Sequence, residues 1–357
     1  MFSLFDLNST EGREKYCSVL SSQKFVNPYY LLDYMKVFSG GLERLNCFCY
    51  VDNEKYILMP GYLYEVKSLG AENSYFDFIT PYGYTGPYMS ESITSEDVKF
   101  FWENVDSWYR NNNIISEFIR FSLDNNYIGY NGQLHSTMLN IKGKILQEET
   151  QWSSFDHKVR KNVKRAQKEN LMCKIFYKEE ITSKEIFDFF SIYIKTMERT
   201  NADAKFFYPL SDFELFIKNN PLNSVICNIY SDNIIISSEL VLVSEDSIYS
   251  FLGGTDENYF DKRPNDYLKY EMINWARNNG KNYYILGGGY GYEDGIFKYK
   301  KSFFPNDIEQ YYTGRKMINK DIYYKLFELN NKDRADKGLN TLDINDTSFF
   351  PIYNKKN

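Results

Sequence analysis

Residues 224–252 of this 357-residue chain are SVICNIYSDNIIISSELVLVSEDSIYSFL, and residues 263–289 are RPNDYLKYEMINWARNNGKNYYILGGG. The first segment is rich in β-branched and aromatic residues, and polar turns interrupt it at Ser231-Asp232-Asn233 and at Glu245-Asp246. This pattern predicts an antiparallel meander. Its three strands are expected at 224–230, 234–243 and 247–252.

The second segment predicts a helix followed by a buried strand. Pro264 opens the helix, and Asn279-Gly280 is a typical C-terminal signal. Tyr283–Leu286 is an apolar run that leads into Gly287-Gly288-Gly289. Because no clear helix follows these glycines, a flexible or close-packed turn is favoured over a phosphate loop.

Two helices are predicted upstream of the meander, at 158–168 and 184–198. Ser153 followed by Asp156 resembles a capping box for the first of them. That helix combines an apolar stripe with a strongly basic outer face. The resulting order of helix, helix, meander, helix and strand matches the plan of the GNAT acyltransferases.

The N-terminal part is similar but degenerate. Residues 43–65 alternate as two strands with a turn at Asp52-Asn53, residues 94–112 have helical periodicity, and 114–121 return as a strand. The predicted fold class is therefore α/β (α+β), with two tandem GNAT-like domains, each a mixed, mostly antiparallel sheet flanked by helices. The expected domains are 1–145, completed by 316–357, and 146–315.

Composition limits the possible functions. The net charge of −6 argues against a protein that coats nucleic acid, although a local basic patch could still hold one RNA. Five cysteines without paired spacing predict reduced thiols, and no metal site is visible. His135 and His157 lie in no nucleophile motif, which argues against a Ser-His or Cys-His hydrolase. Without a signal peptide or an apolar span, a cytoplasmic location is expected.

Four stretches resemble the FemAB/FemX family of peptidyltransferases and its GNAT relatives. They cover almost the whole chain and occur in the family's order: FDFITPYGYTGPY (76–88), EFIRFSL (117–123), the motif W-x5-K-x-R-x3-K-R-A that begins at Trp152, and the region from 263 to 305, which contains Tyr299-Lys300 and Phe303. Tyr299 departs from the family's usual Phe-Lys pair. The long coiled-coil arm of the glycine-loading enzymes is also missing from the sequence.

Three residues are candidates for catalysis: Lys300 and Tyr249 by the resemblance, and Glu239 as a carboxylate on a strand of the same sheet. Lys300 would stabilise the oxyanion that forms when an amine attacks an ester or thioester. The alternative is a surface lysine in a basic cluster with Lys298 and Lys301. Tyr249 is the family-position candidate for proton acceptor, and Glu239 could orient the acceptor amine. Both are equally compatible with structural roles.

Ten further residues are substrate-binding candidates: Tyr299, Arg160, Trp152, Tyr82, Gly83, Tyr84, Arg120, Tyr208, Arg263 and Asn265. Among them, the loop around Tyr82–Tyr84 is expected near the acceptor by family resemblance. Its alternative is a structural turn with buried aromatics.

The residues also bear on the acyl donor. CoA-dependent GNAT enzymes hold pyrophosphate on a glycine-rich turn at a helix N-terminus. Here that turn is Arg263-Pro264-Asn265-Asp266, which has no glycine, lacks one N–H donor and carries a carboxylate. Aminoacyl-tRNA is therefore favoured over acyl-CoA, with no resident cofactor. The basic helix 158–168 would contact the tRNA phosphates, or would simply be a solvated face.

The leading functional hypothesis is transfer of an aminoacyl or acyl group to an amine of a cell-envelope precursor, such as a nucleotide- or lipid-linked sugar or peptide. One alternative is an acetyl-CoA-dependent N-acetyltransferase acting on an amino sugar in polysaccharide synthesis. The other is a catalytically inactive GNAT pair that binds glycan or RNA. The sequence predicts neither the acyl group nor the oligomeric state.

Overall fold

The computed structural model describes residues 1–21, 23, 25–67 and 74–356, and the chain divides into two compact units. The first unit contains Met1–Gln23, Phe38–Thr137 and Tyr311–Asn357. The second contains Lys24–Val37 and Met138–Gln310. The predicted bounds differ from these mainly at Lys24–Val37. This segment groups with the second unit because Tyr34 packs against the rings of Phe216 and Phe251.

The strands and helices follow one another closely along the chain. In chain order they are β1 (Phe2–Asp6), α1 (Thr10–Leu20), α2 (Leu32–Phe38), β2 (Leu45–Asp52), β3 (Lys55–Val66), β4 (Tyr75–Ile79), β5 (Tyr88–Met89), α3 (Ser95–Asn111), β6 (Ile114–Arg120), β7 (Gln133–Lys144), α4 (Glu148–Ser154), α5 (His157–Lys168), β8 (Met172–Tyr177), α6 (Ser183–Arg199), α7 (Leu210–Asn219), β9 (Ser224–Ser231), β10 (Ile234–Val243), β11 (Ser247–Thr255), α8 (Pro264–Asn278), β12 (Tyr283–Gly287), α9 (Gly295–Lys301), β13 (Ile308–Met317) and α10 (Lys320–Asp336).

The first unit has a sheet in the order β1-β2-β3-β4-β6-β13, with β5 added to β3. Neighbouring strands are antiparallel, except that β4 and β6 run parallel. Helix α3 links these two parallel strands and buries Phe101, Trp102, Val105 and Tyr109 in the core of this unit. Strand β13 pairs with β6 from a distant part of the sequence, with Thr313 opposite Arg120.

The second unit repeats this plan with the order β8-β9-β10-β11-β12-β7. Four antiparallel strands come first, then β12 runs parallel to β11, and β7 closes the row antiparallel to β12. Helix α8 links the two parallel strands, as α3 does in the first unit. Together with α5, α8 supplies much of the core, including Val159, Val163, Leu268 and Met272.

The predicted fold class is confirmed, because each unit has a mixed, mostly antiparallel sheet with flanking helices. The predicted meander, the helix from Pro264 and the strand at 283–286 are also confirmed. The predicted capping box at Ser153 is wrong. The Ser153 hydroxyl is used in the last turn of α4, where it donates to the Thr150 carbonyl at 2.9 Å.

Among the described residues, no helix combines the length and apolar character that crossing a membrane requires. The same residues contain no cluster of three or more His, Cys, Asp or Glu side chains that could hold a metal ion.

Candidate active site

The sheet of the second unit divides where its two parallel strands separate. Strand β12 pairs with β11 through Tyr283–Ile285 and Ser247–Tyr249. Beyond Tyr249, β11 continues along β10 as far as Thr255, whereas β12 turns away at Gly287. A split therefore opens between the two strands, and the residues described next surround it.

The triple glycine forms a close-packed turn at the end of β12. A Cβ atom on Gly288 would lie 2.8 Å from the Met138 sulfur, and one on Gly289 would lie 2.0 Å from an oxygen of Asp294. Asp294 caps α9 by accepting the N–H of Phe297 at 2.8 Å and also accepts the N–H groups of Tyr290 and Gly291. These contacts fix the turn and the start of α9 relative to each other.

Lys300 extends from α9 back to this turn, where its Nζ donates to the Gly288 carbonyl at 2.6 Å. Within the described residues, no carboxylate lies within 4.0 Å of this ammonium. Burial, followed by the nearby charge of Lys269, lowers the Lys300 pKa to about 8, while Glu239 and Asp294 act in the opposite direction. Lys300 and Lys301 are both half-buried, whereas Lys298 is exposed.

Beside the split lies a buried polar cluster that joins α8 to three strands. Lys269 of α8 donates to Glu239 of β10 at 2.5 Å, to Ser250 of β11 at 2.8 Å and to Tyr284 of β12 at 3.2 Å. Glu239 also accepts from Ser250 and from Tyr284. Glu239 and Lys269 are 5% and 6% exposed, so this ion pair is shielded from water.

Lys269, Ser250 and Tyr284 are absent from the set of residues predicted from the sequence. A signal for Lys269 exists, because it lies on the stripe of α8 that also contains Met272, Ile273 and Ala276. A lysine at a core-facing helix position needs a buried partner. The sequence alone does not identify that partner, since Glu239 lies on a distant strand.

The N-terminus of α8 holds a second group of predicted residues. The Asn265 amide donates to the Tyr299 hydroxyl at 2.9 Å, and Tyr299 packs edge-on against Phe303. Asp266 is 8% exposed and accepts from Asn162; burial raises the pKa of its carboxyl. Arg263 is exposed, with φ = 62°.

Trp152 lies on α4, and Arg160 lies in the first turn of the basic helix α5. Trp152 packs against the rings of Phe155 and Tyr270. The Arg160 guanidinium donates to the Ser153 and Phe155 carbonyls, so it stabilises the link between α4 and α5. The remaining cations of α5 are exposed to solvent: Lys158, Lys161, Lys164, Arg165 and Lys168.

The structure does not bring Tyr249 together with Lys300 and Glu239. Neighbouring residues of a strand point to opposite faces, and it is Ser250 that contacts Glu239. Tyr249 is 2% exposed, packs edge-on against Tyr29 and accepts from Asn27. The role of Tyr249 as proton acceptor stays a prediction.

Tyr208 packs edge-on against Phe213 on the side of the sheet covered by α6 and α7. Burial raises the pKa of the neighbouring Tyr193, and the Tyr208 and Tyr290 hydroxyls are close enough to add to that effect. Tyr290 itself is 84% exposed, in the loop that follows Gly289.

Four predicted residues belong to the first unit. Tyr82 is 60% exposed, Gly83 has φ = 101°, and Tyr84 packs edge-on against Tyr311. Arg120 donates to the Thr80 carbonyl at 2.7 Å, and its guanidinium lies 4.9 Å from the centre of the Phe118 ring. The loop with Tyr82, Gly83 and Tyr84 therefore follows β4, and Arg120 lies at the end of the neighbouring strand β6.

Comparisons with known proteins support the fold. Residues 157–301 match the model of the family described as Acetyltransferase (GNAT) domain. No curated protein sequence matches the chain.

Solved structures with a similar fold include a crystal structure of FemX, with a TM-score of 0.63, 11% identity, and coverage of 87% of this chain and 97% of that one. The C-terminal domain of a putative lysylphosphatidylglycerol synthetase from Agrobacterium fabrum has a TM-score of 0.55 and 11% identity, and covers 85% and 90% of the two chains. The structure of L-PGS from Bacillus licheniformis has a TM-score of 0.56 and 11% identity, and the match covers 86% of this chain and 92% of that one.

Proposed function

The chain carries a GNAT domain over residues 157–301 within a FemX-like fold, and from this premise we propose that it transfers an aminoacyl or acyl group to an amine of a cell-envelope precursor. The similar structures of FemX and of lysylphosphatidylglycerol synthetase are consistent with this class of reaction. The acceptor would be a nucleotide- or lipid-linked sugar or peptide.

The observation that carries the proposal is the Lys300 ammonium at the strand split. In the proposed reaction, a neutral amine attacks the carbonyl carbon of an ester or thioester, and the new C–N bond leaves negative charge on the oxygen. A fixed ammonium without a carboxylate partner can stabilise that charge. Collapse of the intermediate breaks the C–O or C–S bond, and the proton from the amine passes through solvent to the leaving group.

Aminoacyl-tRNA is the favoured donor. Pro264 opens α8, and Asp266 follows in its first turn as a buried carboxylate, an arrangement that is unfavourable for pyrophosphate. The exposed cations of α5 provide a surface for tRNA phosphates. Acyl-CoA is the second candidate because Arg263 is exposed at the same turn.

The test compares Lys300→Ala with Lys298→Ala, an exposed lysine of the same helix. Purified protein is incubated with a uridine-diphosphate-linked sugar peptide and with either charged tRNA or acetyl-CoA, whose aminoacyl or acetyl group is radiolabelled. The label transferred to the sugar peptide is then counted. Lys300→Ala is expected to lose about 100-fold or more in kcat, as for removal of an oxyanion donor, and Lys298→Ala to retain activity. A well-folded Lys300→Ala protein within a few-fold of the wild type would refute the catalytic role.

A calorimetric titration with acetyl-CoA separates the two donors. We expect no binding at high ligand concentration. Micromolar binding would instead favour the acetyltransferase alternative and overturn the conclusion drawn from the Arg263–Asp266 turn.

A further inference from the structure

Lys269 is a buried cation whose hydrogen-bonding capacity is fully used. An ammonium has three N–H donors, and the Lys269 donors reach Glu239, Ser250 and Tyr284. A buried charge is tolerated only with such partners. The ammonium is therefore held at one position, where β10, β11 and β12 meet α8.

Glu239 is the buried carboxylate of this cluster, and Lys269 is its ion-pair partner. One Glu239 oxygen accepts from Lys269 and Ser250, and the other accepts from Tyr284 at 3.1 Å. Both oxygens are thus engaged on the side of the sheet that α8 covers.

The Gly288 carbonyl that Lys300 binds follows β12, four residues after Tyr284, and Tyr284 contacts both Lys269 and Glu239. Three charged groups affect the Lys300 pKa: Lys269 from α8, Glu239 from β10 and Asp294 at the start of α9. The ammonium nevertheless donates to a neutral carbonyl, that of Gly288. Lysine has a long, flexible stem that would let it turn toward an available carboxylate.

We propose that Lys269 is a positioning residue for Lys300: by occupying the Glu239 carboxylate, it keeps the Lys300 ammonium free of an acidic partner and directed at the Gly288 carbonyl beside the strand split. The effect that this positioning has on turnover rests on the proposed function. The positional effect itself does not depend on the identity of donor or acceptor.

The first experiment measures Lys300 directly, without substrates. Lysines are reductively methylated with ¹³C-formaldehyde, Lys300 is assigned by its loss in Lys300→Arg, and its pKa is followed by NMR. Lys269→Gln removes the cation that pairs with Glu239, so Lys300 is expected to turn toward that carboxylate and to lose a like charge nearby. Both changes are expected to raise the Lys300 pKa by about one unit or more. Lys269→Arg keeps the charge and should leave that pKa low.

Two further variants keep the test decisive. Lys298→Met, on the exposed side of α9, should not change the Lys300 pKa. If Lys269→Gln does not fold, the double variant Lys269→Met/Glu239→Gln removes both charges of the pair, and the Lys300 pKa is expected to stay within about half a unit of the wild type. An unchanged pKa in Lys269→Gln, or a rise of a full unit in the double variant, would overturn the inference.

The second experiment is the pH profile of kcat/KM. If Lys300 acts as a cation, wild-type activity falls as pH rises through the Lys300 pKa, about 8, and in Lys269→Gln this fall moves to higher pH. A purely structural role for Lys269 would lower activity at every pH without moving the profile. A shifted NMR titration together with no turnover from any donor supports the positioning and counts against the proposed function.

Discussion

At the scale of single residues, Gly143 shows how tightly the second unit is packed. A Cβ atom at this position on β7 would lie 2.3 Å from the ring of Phe304, which is 2% exposed. Gly143→Ala is therefore expected to lower the free energy of unfolding by about 1–3 kcal/mol through overpacking, measured by urea denaturation.

The matched control is Gly291→Ala, because a Cβ atom there meets nothing within 4 Å among the described atoms. Its urea midpoint should equal that of the wild type. Equal midpoints for both alanine variants would mean that the Phe304 ring moves aside without cost.

Single residues also show what the sequence could predict of the site. Lys300 and Tyr299 were identifiable because they lie in a motif that is local in the chain. The partners of Glu239 were not, since Lys269, Ser250 and Tyr284 meet it only through strand register and helix packing. Tyr249 illustrates the same limit: one position along a strand reverses the face on which a side chain lies.

At the scale of elements, the caps decide where helices begin. Thr182 caps α6 in a reciprocal box with Glu185. Thr182→Ala is expected to reduce the free energy of unfolding by about 1 kcal/mol. Ser153→Ala is the control, since Ser153 forms no cap and bonds within α4. Urea denaturation of both variants checks this, and a larger loss for Ser153→Ala would contradict the assignment of the caps.

The cap of α3 makes the stability of the fold depend on pH. Asp97 accepts from the Tyr50 hydroxyl at 2.6 Å, from the Thr94 N–H and from Lys55 at 2.9 Å, and these bonds hold its pKa well below the usual range. A depressed pKa stabilises the fold above the unfolded-state pKa of about 4, and this stabilisation is lost as pH falls toward the lower folded-state pKa.

We therefore expect Asp97→Asn to be less stable than the wild type at pH 7 and the difference to shrink between about pH 4 and pH 2. Urea midpoints measured across this range test it. Glu103→Gln, which removes an exposed charge of the same helix, should show no comparable change. A constant difference for Asp97→Asn would assign its effect to something other than charge.

Most of the elements were predictable because their patterns are local. Alternation identified the strands of the meander, and the apolar stripe with Pro264 and Gly280 bounded α8. The separation of β11 from β12 was not predictable. It depends on which strands pair and for how long, which periodicity does not encode.

At the scale of the whole molecule, charge is unevenly distributed. The chain has a net charge of −6, yet α5 exposes five cations along one helix. Under the proposed function, Lys161→Glu/Lys164→Glu should weaken tRNA binding by about tenfold or more at low salt and reduce the salt dependence.

The control is Lys325→Glu/Lys332→Glu, which makes the same change in net charge on exposed positions of α10. Filter binding over a series of salt concentrations measures both variants. An equal loss for the two would show that net charge, rather than the surface of α5, controls the interaction with RNA.

The position of β13 late in the sequence also determines when the first unit can complete its sheet during translation. Strand β6 is complete at Arg120, but the strand that covers its edge, β13, begins at Ile308. At ribosomal speeds, the roughly 190 residues between them take about 10–40 s to make. During that interval, the β6 edge of the first unit has no strand from its own chain to pair with. The earlier half of the polypeptide therefore finishes folding last, after translation of the later half is nearly complete.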